Sequence, residues 1–234
     1  MDTYKMILAS GSPRRKELLE MAGYDFTVEV SDAEEEIREK DPARMVERLS
    51  GIKAMAVCRQ YSGRGPEESM ESCPGDEKER QALPVEKRVI IGADTVVVHR
   101  GQILGKPGDK AQAAAMIREL AGDTHQVFTG VTLVLLSGQR IGKILHFHEK
   151  TDVHLRQMTE EEISSYVEAR EPVDREHPEK GERYLWQDKA GGYGIQTGWG
   201  SRMITGITGD YYNVVGLPVC RLSTELSRLF DRHR

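Results

Sequence analysis

Six residues near the start of the chain, Ser10-Gly11-Ser12-Pro13-Arg14-Arg15, place two guanidinium groups where a helix is set to begin. A helix N-terminus carries unsatisfied N–H donors and partial positive charge, so Asp or Glu is the favourable resident there. Two arginines at that end favour an anionic guest, and phosphate fits. The plainer alternative is a basic helix start whose arginines point to water. A second candidate is Asp94, in Gly92-Ala93-Asp94-Thr95-Val96-Val97. A carboxylate inside an apolar, β-rich run is costly to bury. Either backbone amides in a bulge after Gly92 satisfy it, or it faces a cleft.

Three lysines stand in telling company. Lys53 lies on an otherwise apolar helical face, Lys106 in Gly105-Lys106-Pro107-Gly108, and Lys189 just before Ala190-Gly191-Gly192. Singly, each reads as a surface or snorkelling lysine. Together with Arg14 and Arg15 they read as a polyphosphate clamp. The acidic run with Asp32, Glu34, Glu35 and Glu36 is either a solvated loop or the source of a carboxylate that joins Asp94 on Mg²⁺. Ala190-Gly191-Gly192-Tyr193-Gly194-Ile195-Gln196 lets a backbone approach a ligand closely, and Gln196 offers the paired donor and acceptor that suit a nucleobase edge. Its alternative is a flexible loop with a buried amide.

These groups need a scaffold. Residues 5–9 (KMILA) read as a buried strand, followed by a helix capped at Ser12, with Pro13 in its first turn and Gly23 at its end. A strand is expected over 26–30 and a helix from Asp41-Pro42 with Met45, Val46, Leu49, Ile52, Lys53, Ala56 and Val57 on its face. Residues 89–98 are β-rich, and 99–102 form a hairpin turn. Asp109 caps a helix, 126–136 and 143–155 are strands, and Thr159 with Glu162 forms a capping box. Residues 204–215 suggest two short strands. Pro218 opens an amphipathic helix with Leu222, Leu226 and Leu229 inward. Strands and helices mix without strict βαβ order, which indicates a mixed α/β (α+β) fold. Two polar stretches, about 61–87 and 170–187, read as surface insertions in a single domain spanning 1–234.

Bulk properties narrow the function. The 234 residues suffice for a substantial core, with 38% hydrophobic and 30% charged. A net charge of −5 argues against a nucleic-acid backbone as partner, while a single nucleotide needs only a few cations. Three dispersed cysteines, Cys58, Cys73 and Cys220, form no CxxC and point to a reducing, cytoplasmic setting. The apolar stretch near the N-terminus is too short for a signal peptide, and no run approaches a membrane span. P-loop, GxGxxG, HExxH and GxSxG signatures are absent.

Taken together, ILASGSPRRKELL (7–19), RLSGIKAMAV (48–57), IIGADTVVV (90–98), GKPGDKAQAAAMIREL (105–120), HQVFTGV (125–131), DKAGGYGIQ (188–196) and NVVGLPV (213–219) resemble the Maf family of nucleotide pyrophosphatases, in that family's order. The resemblance implies a fold related to inosine triphosphate pyrophosphatases: a curved mixed sheet flanked by helices, in two lobes around a deep cleft. It implies attack of water on the α-phosphorus of a nucleoside triphosphate, release of pyrophosphate and help from a divalent cation (Mg²⁺, Mn²⁺ or Co²⁺). By the same resemblance Asp94, Glu35, Lys53 and Lys106 are catalytic, and Glu35 and Asp94 hold the metal. Ser10, Ser12, Arg14, Arg15, Thr95, Lys189 and Gln196 bind substrate. Arg14, Thr95 and Gln196 match the branch that prefers dTTP and UTP. A homodimer is also implied. Thr197 stands where the family commonly has glycine. A nucleotide-binding regulator of septation, or an enzyme for modified pyrimidine nucleotides, is the alternative.

Overall fold

The computed structural model describes residues 4–30, 39–62, 86–173 and 177–231. In chain order the elements are β1 (Tyr4–Ala9), α1 (Pro13–Met21), β2 (Phe26–Val28), α2 (Pro42–Tyr61), β3 (Lys87–His99), β4 (Gln102–Leu104), α3 (Lys110–Leu120), β5 (Thr124–Ser137), β6 (Arg140–Leu155), α4 (Glu160–Glu168), β7 (Arg170–Pro172), β8 (Glu182–Tyr184), α5 (Gly200–Met203), β9 (Ile204–Thr208), α6 (Tyr211–Val215) and α7 (Val219–Asp231). The main sheet runs β2-β1-β3-β5-β6-β9, with β4 also on β3. β1 pairs parallel with β2 and β3, and the remaining pairs are antiparallel. This is the mixed α/β sheet with flanking helices that the sequence indicates.

Local chemistry accounts for most boundaries. Asp41 accepts from the Ala43 N–H and Asp109 from the Gln112 N–H, capping α2 and α3. The reciprocal Thr159–Glu162 capping box opens α4. Arg100 and Gly101 both take positive φ, the pairing a two-residue hairpin turn needs between β3 and β4. Leu222, Leu226 and Leu229 bury one stripe of α7.

The three longest strands serve two cores. Val89, Ile91 and Ala93 of β3 pack with Leu18 and Leu19 of α1 and with the three α7 leucines. Farther along β3, Val97 joins a second core with Ile117, Ile163, Tyr166, Leu185 and Trp186. Residues 94–96 lie where one core gives way to the other. On the opposite sheet face, α2 packs Ala54 and Val57 on Ile7, Ile90 and Val134, and Val46 on Val96 and Val98.

Several expectations are corrected. Strand β2 stops at Val28, and the chain past it holds to the sheet through Glu29 N–H to Leu8 O. The inward face of α2 is Val46, Leu49, Ser50, Ala54, Val57 and Cys58; Ile52 and Ala56 are turned partly away. Residues 204–215 form one strand and one helix, because Asp210 caps α6 by accepting from the Tyr212 N–H. Within the polar stretch 170–187, read as a loop, β7 and β8 pair antiparallel, and Leu185 and Trp186 are buried. Of the other polar insertion, residues 63–85 lie outside the described residues. Among the described residues no helix is long and apolar enough to cross a membrane.

Candidate active site

Strand β1 covers one edge of β3 only as far as Gly92, where it pairs with Ala9. Strand β4 takes up the same edge again at Val97. Between them residues 93–96 have no strand neighbour on that side among the described residues, and this notch is where Asp94 and Thr95 sit. On the other side the ladder to β5 runs unbroken, with Asp94 opposite Gly130. There is no bulge after Gly92, so the expectation that backbone amides in such a bulge satisfy Asp94 is not met. The Asp94 carboxylate instead accepts from Lys53 Nζ at 2.6 Å. The side chains are 16% and 13% exposed, enough for a ligand to reach them.

Lys53 arrives there because α2 lies almost backbone-to-backbone on the sheet. A Cβ at Gly92 would fall 2.2 Å from Ser50 O and one at Gly130 would fall 2.3 Å from Val46 O. Two glycines thus form a track for the helix, a close approach that only glycine permits.

The chain leaves β1 at Ala9 and enters α1 at Pro13, bringing the Ser10 to Arg15 segment to the mouth of the notch. The resulting cleft of about 520 Å³ is lined by Ser10, Ser12, Arg14, Arg15, Lys53, Asp94, Thr95, Lys106, Lys189 and Gln196. All the site residues expected from sequence therefore meet in one cavity, apart from Glu35, which lies outside the described residues. Arg183 and Asp188 line it as well, so among the described residues six basic side chains face two acidic ones, a balance suited to a polyanion.

Position in the cavity does not mean availability. Arg15 is only 8% exposed. Its Nε donates to Gly216 O at 2.9 Å, Nη1 to Ser10 Oγ at 2.9 Å and Nη2 to Thr95 Oγ1 at 3.1 Å. Arg15 is thus a strut joining α1, β3 and the end of α6, and Arg14 is the arginine presented to the cleft. Thr95 is committed similarly, to Arg15 and to Thr129 Oγ1 at 2.9 Å. Ser12 marks the start of α1 without a side-chain cap bond; its N–H donates to Ser10 Oγ. Lys189 is 5% exposed, with its ammonium on Glu171 at 2.6 Å and Leu185 O at 2.5 Å. Burial, ahead of its charged neighbours, pushes the Lys189 pKa below the usual lysine value. Lys106 is exposed at the rim and, among the described residues, its ammonium has no protein partner.

The glycine turn forms the far wall. Gly191 and Gly192 take φ of 69° and 74°, which L side chains rarely adopt. Tyr166 Oη anchors the turn by donating to Gly192 O at 2.6 Å. Gln196, half-buried, lines the cleft beyond it. Tyr193 is held from behind by its 2.6 Å hydrogen bond with His125 Nε2. Burial, with His99 and His154 adding to it, holds the His125 pKa down at about 4. Below pH 6.5 the unfolded chain takes up a proton at this histidine that the folded chain refuses. Stability at this group is complete above 6.5 and falls with pH at up to about 1.4 kcal/mol per unit until about pH 4. Denaturant melts from pH 7 to 4 are expected to show this slope in the wild type and lose that part in His125→Gln.

Sequence reasoning passed over Arg183 and Glu171, both hidden in a stretch read as a polar loop. The signal for them is the apolar run Tyr184-Leu185-Trp186, which needs a core to pack against. As for metal, no group of three or more His, Cys, Asp or Glu able to hold an ion occurs among the described residues. Asp94 nonetheless fits Mg²⁺, which commonly takes one or two protein carboxylates and fills its shell with substrate phosphate and water.

The family model described as Maf-like protein matches residues 5–229. A dTTP/UTP pyrophosphatase from Bacillus anthracis is 41% identical over 225 residues, covering 96% of this chain and 95% of its own. A dTTP/UTP pyrophosphatase from Bacillus mycoides is 41% identical over 228 residues, 97% of this chain and 96% of its own. Among solved structures, a nucleoside-triphosphatase / dITP/XTP pyrophosphatase from Mycobacterium abscessus overlaps 66% of this chain and 75% of its own at 13% identity and a TM-score of 0.34. The chain belongs to the Maf family.

Proposed function

We propose that this chain hydrolyses dTTP and UTP to the nucleoside monophosphate and pyrophosphate. The observation that carries the reading is the Lys53–Asp94 pair, set in an open notch of the sheet at the floor of a cleft dominated by basic residues. Relatives at 41% identity that bear the name dTTP/UTP pyrophosphatase support the same reaction.

In this reading Arg14 and Lys106 bind the phosphate chain at the mouth and rim of the cleft, where charge-assisted hydrogen bonds are strongest. Ser10, held by Arg15, adds a hydroxyl beside the N-terminus of α1. Asp94 orients the attacking water and receives its proton, within hydrogen-bond reach of that water. Lys53 holds the Asp94 carboxylate in place and adds positive charge where the transition state gathers negative charge. Asp94, and Glu35 by the family resemblance, would hold a divalent cation, which would supply neutralisation of the charge on the departing pyrophosphate. Gln196 pairs with the donor and acceptor edge of a pyrimidine.

The test is a panel of canonical nucleoside triphosphates with Mg²⁺, Mn²⁺ or Co²⁺, followed by separation of the products. The expected result is monophosphate plus pyrophosphate, with dTTP and UTP ahead of the purines. Diphosphate plus orthophosphate as products, or no turnover at all, would overturn the proposal.

A further inference from the structure

The β7–β8 hairpin does more than fill surface. Trp186 Nε1 donates to Val167 O at 3.0 Å, and the Trp186 ring stacks on Tyr184 with centroids 5.3 Å apart. Tyr184 in turn receives the Arg170 guanidinium at 4.4 Å and the Lys110 ammonium at 4.7 Å from its ring centre. These contacts fix the strand that carries Arg183, and they set its side chain against the cleft.

Charge on this wall is unbalanced. Arg183 Nε donates to Glu171 Oε1 at 3.2 Å, and Lys189 Nζ reaches the same oxygen at 2.6 Å. Arg183 Nη1 lies 3.8 Å from Asp188, a side chain 69% exposed and largely screened by water. Arg14 Nη2 donates to the Asp188 carbonyl at 3.1 Å. Among the described residues, Arg183 and Lys189 therefore share the partly buried Glu171 carboxylate, with Arg14 bonded to the backbone beside them. Burial, and after it the positive charge of Arg183, pushes the Arg14 pKa below the ordinary arginine value. Bringing like charges together from separate elements is unfavourable until an anion joins them.

We propose that Arg183 is a further phosphate-binding residue, closing with Arg14 as a two-guanidinium clamp on the phosphate chain of the nucleotide. This rests on the pyrophosphatase reading. The clamp assigns a binding role to the hairpin: it delivers a cation that the α1 N-terminus does not supply. Its Nε is taken by Glu171, which leaves the remaining donors of the fork for phosphate oxygens.

Calorimetric titration with inorganic pyrophosphate tests this without any turnover. Loss of charge-assisted hydrogen bonds in Arg183→Gln is expected to weaken pyrophosphate binding about 10–100-fold. Arg183→Lys, which keeps the charge and loses the fork, should fall between. Binding of uridine, which has no phosphate, should be unchanged in both. Pyrophosphate affinity within twofold of wild type in Arg183→Gln overturns the proposal. So does an equal loss for pyrophosphate and uridine, the result of a purely structural role, and so does an absence of pyrophosphate binding by the wild-type chain. Failure of the wild type to hydrolyse any nucleotide would sink the activity reading alone, since the titration still decides Arg183.

Discussion

Gly92→Ala is expected to destabilise the protein by about 3 kcal/mol or more, at the upper end for an overpacked core. The added Cβ would fall 2.2 Å from Ser50 O, 2.8 Å from Ala54 N and 2.9 Å from Ala54 Cβ. Two of those three atoms are helix backbone, so no rotamer change relieves the overlap and α2 must lift from the sheet. Lys53 rides on α2, so the 2.6 Å contact to Asp94 opens at the same time. Turnover should therefore fall even at temperatures where the variant stays folded. Gly142 is the matched control, since a Cβ there meets nothing closer than Leu135 O at 3.7 Å. Gly142→Ala should stay within about 0.5 kcal/mol of wild type. Urea melts of the two variants check this; equal stabilities would mean that α2 does not lie on Gly92 as described.

Asp94→Asn should lower kcat by about 10²–10⁴-fold, the usual worth of a positioned general base. The change is nearly isosteric and keeps an oxygen for Lys53, so the melting curve should move little. Affinity for nucleotide without metal should hold or improve, because the substitution removes a negative charge from a cavity that takes an anion. Full turnover in Asp94→Asn would remove Asp94 from the mechanism. A drop in binding equal to the drop in kcat would recast it as a binding residue.

Much of this was legible in the sequence because the relevant forces are local. Asp41, Asp109 and Thr159 act on amides two or three residues away, and the leucines of α7 repeat at helical spacing. Several residues that meet in the cleft were legible because the chain spends charge where local rules oppose it: Arg14 and Arg15 at a helix start, Asp94 in a β-rich run. What was hidden depends on distant partners. Nothing near Arg15 reveals that its guanidinium is consumed by Gly216 and Thr95, 201 and 80 residues away. Lys189 looks like a phosphate ligand until Glu171, 18 residues earlier, folds back on it. The strand carrying Arg183 is three residues long and polar, so periodicity had nothing to detect. Strand β1 ending at Gly92 and β4 beginning at Val97 are each visible alone, but the notch between them exists only in the assembled sheet.

The central claim is that water, oriented at Asp94, attacks the α-phosphorus. The most direct measurement is a single turnover of dTTP in H₂¹⁸O with Mg²⁺, with both products analysed by mass spectrometry. The account predicts one ¹⁸O in the thymidine monophosphate and none in the pyrophosphate. Label in the pyrophosphate would place the attack on the β-phosphorus and contradict it.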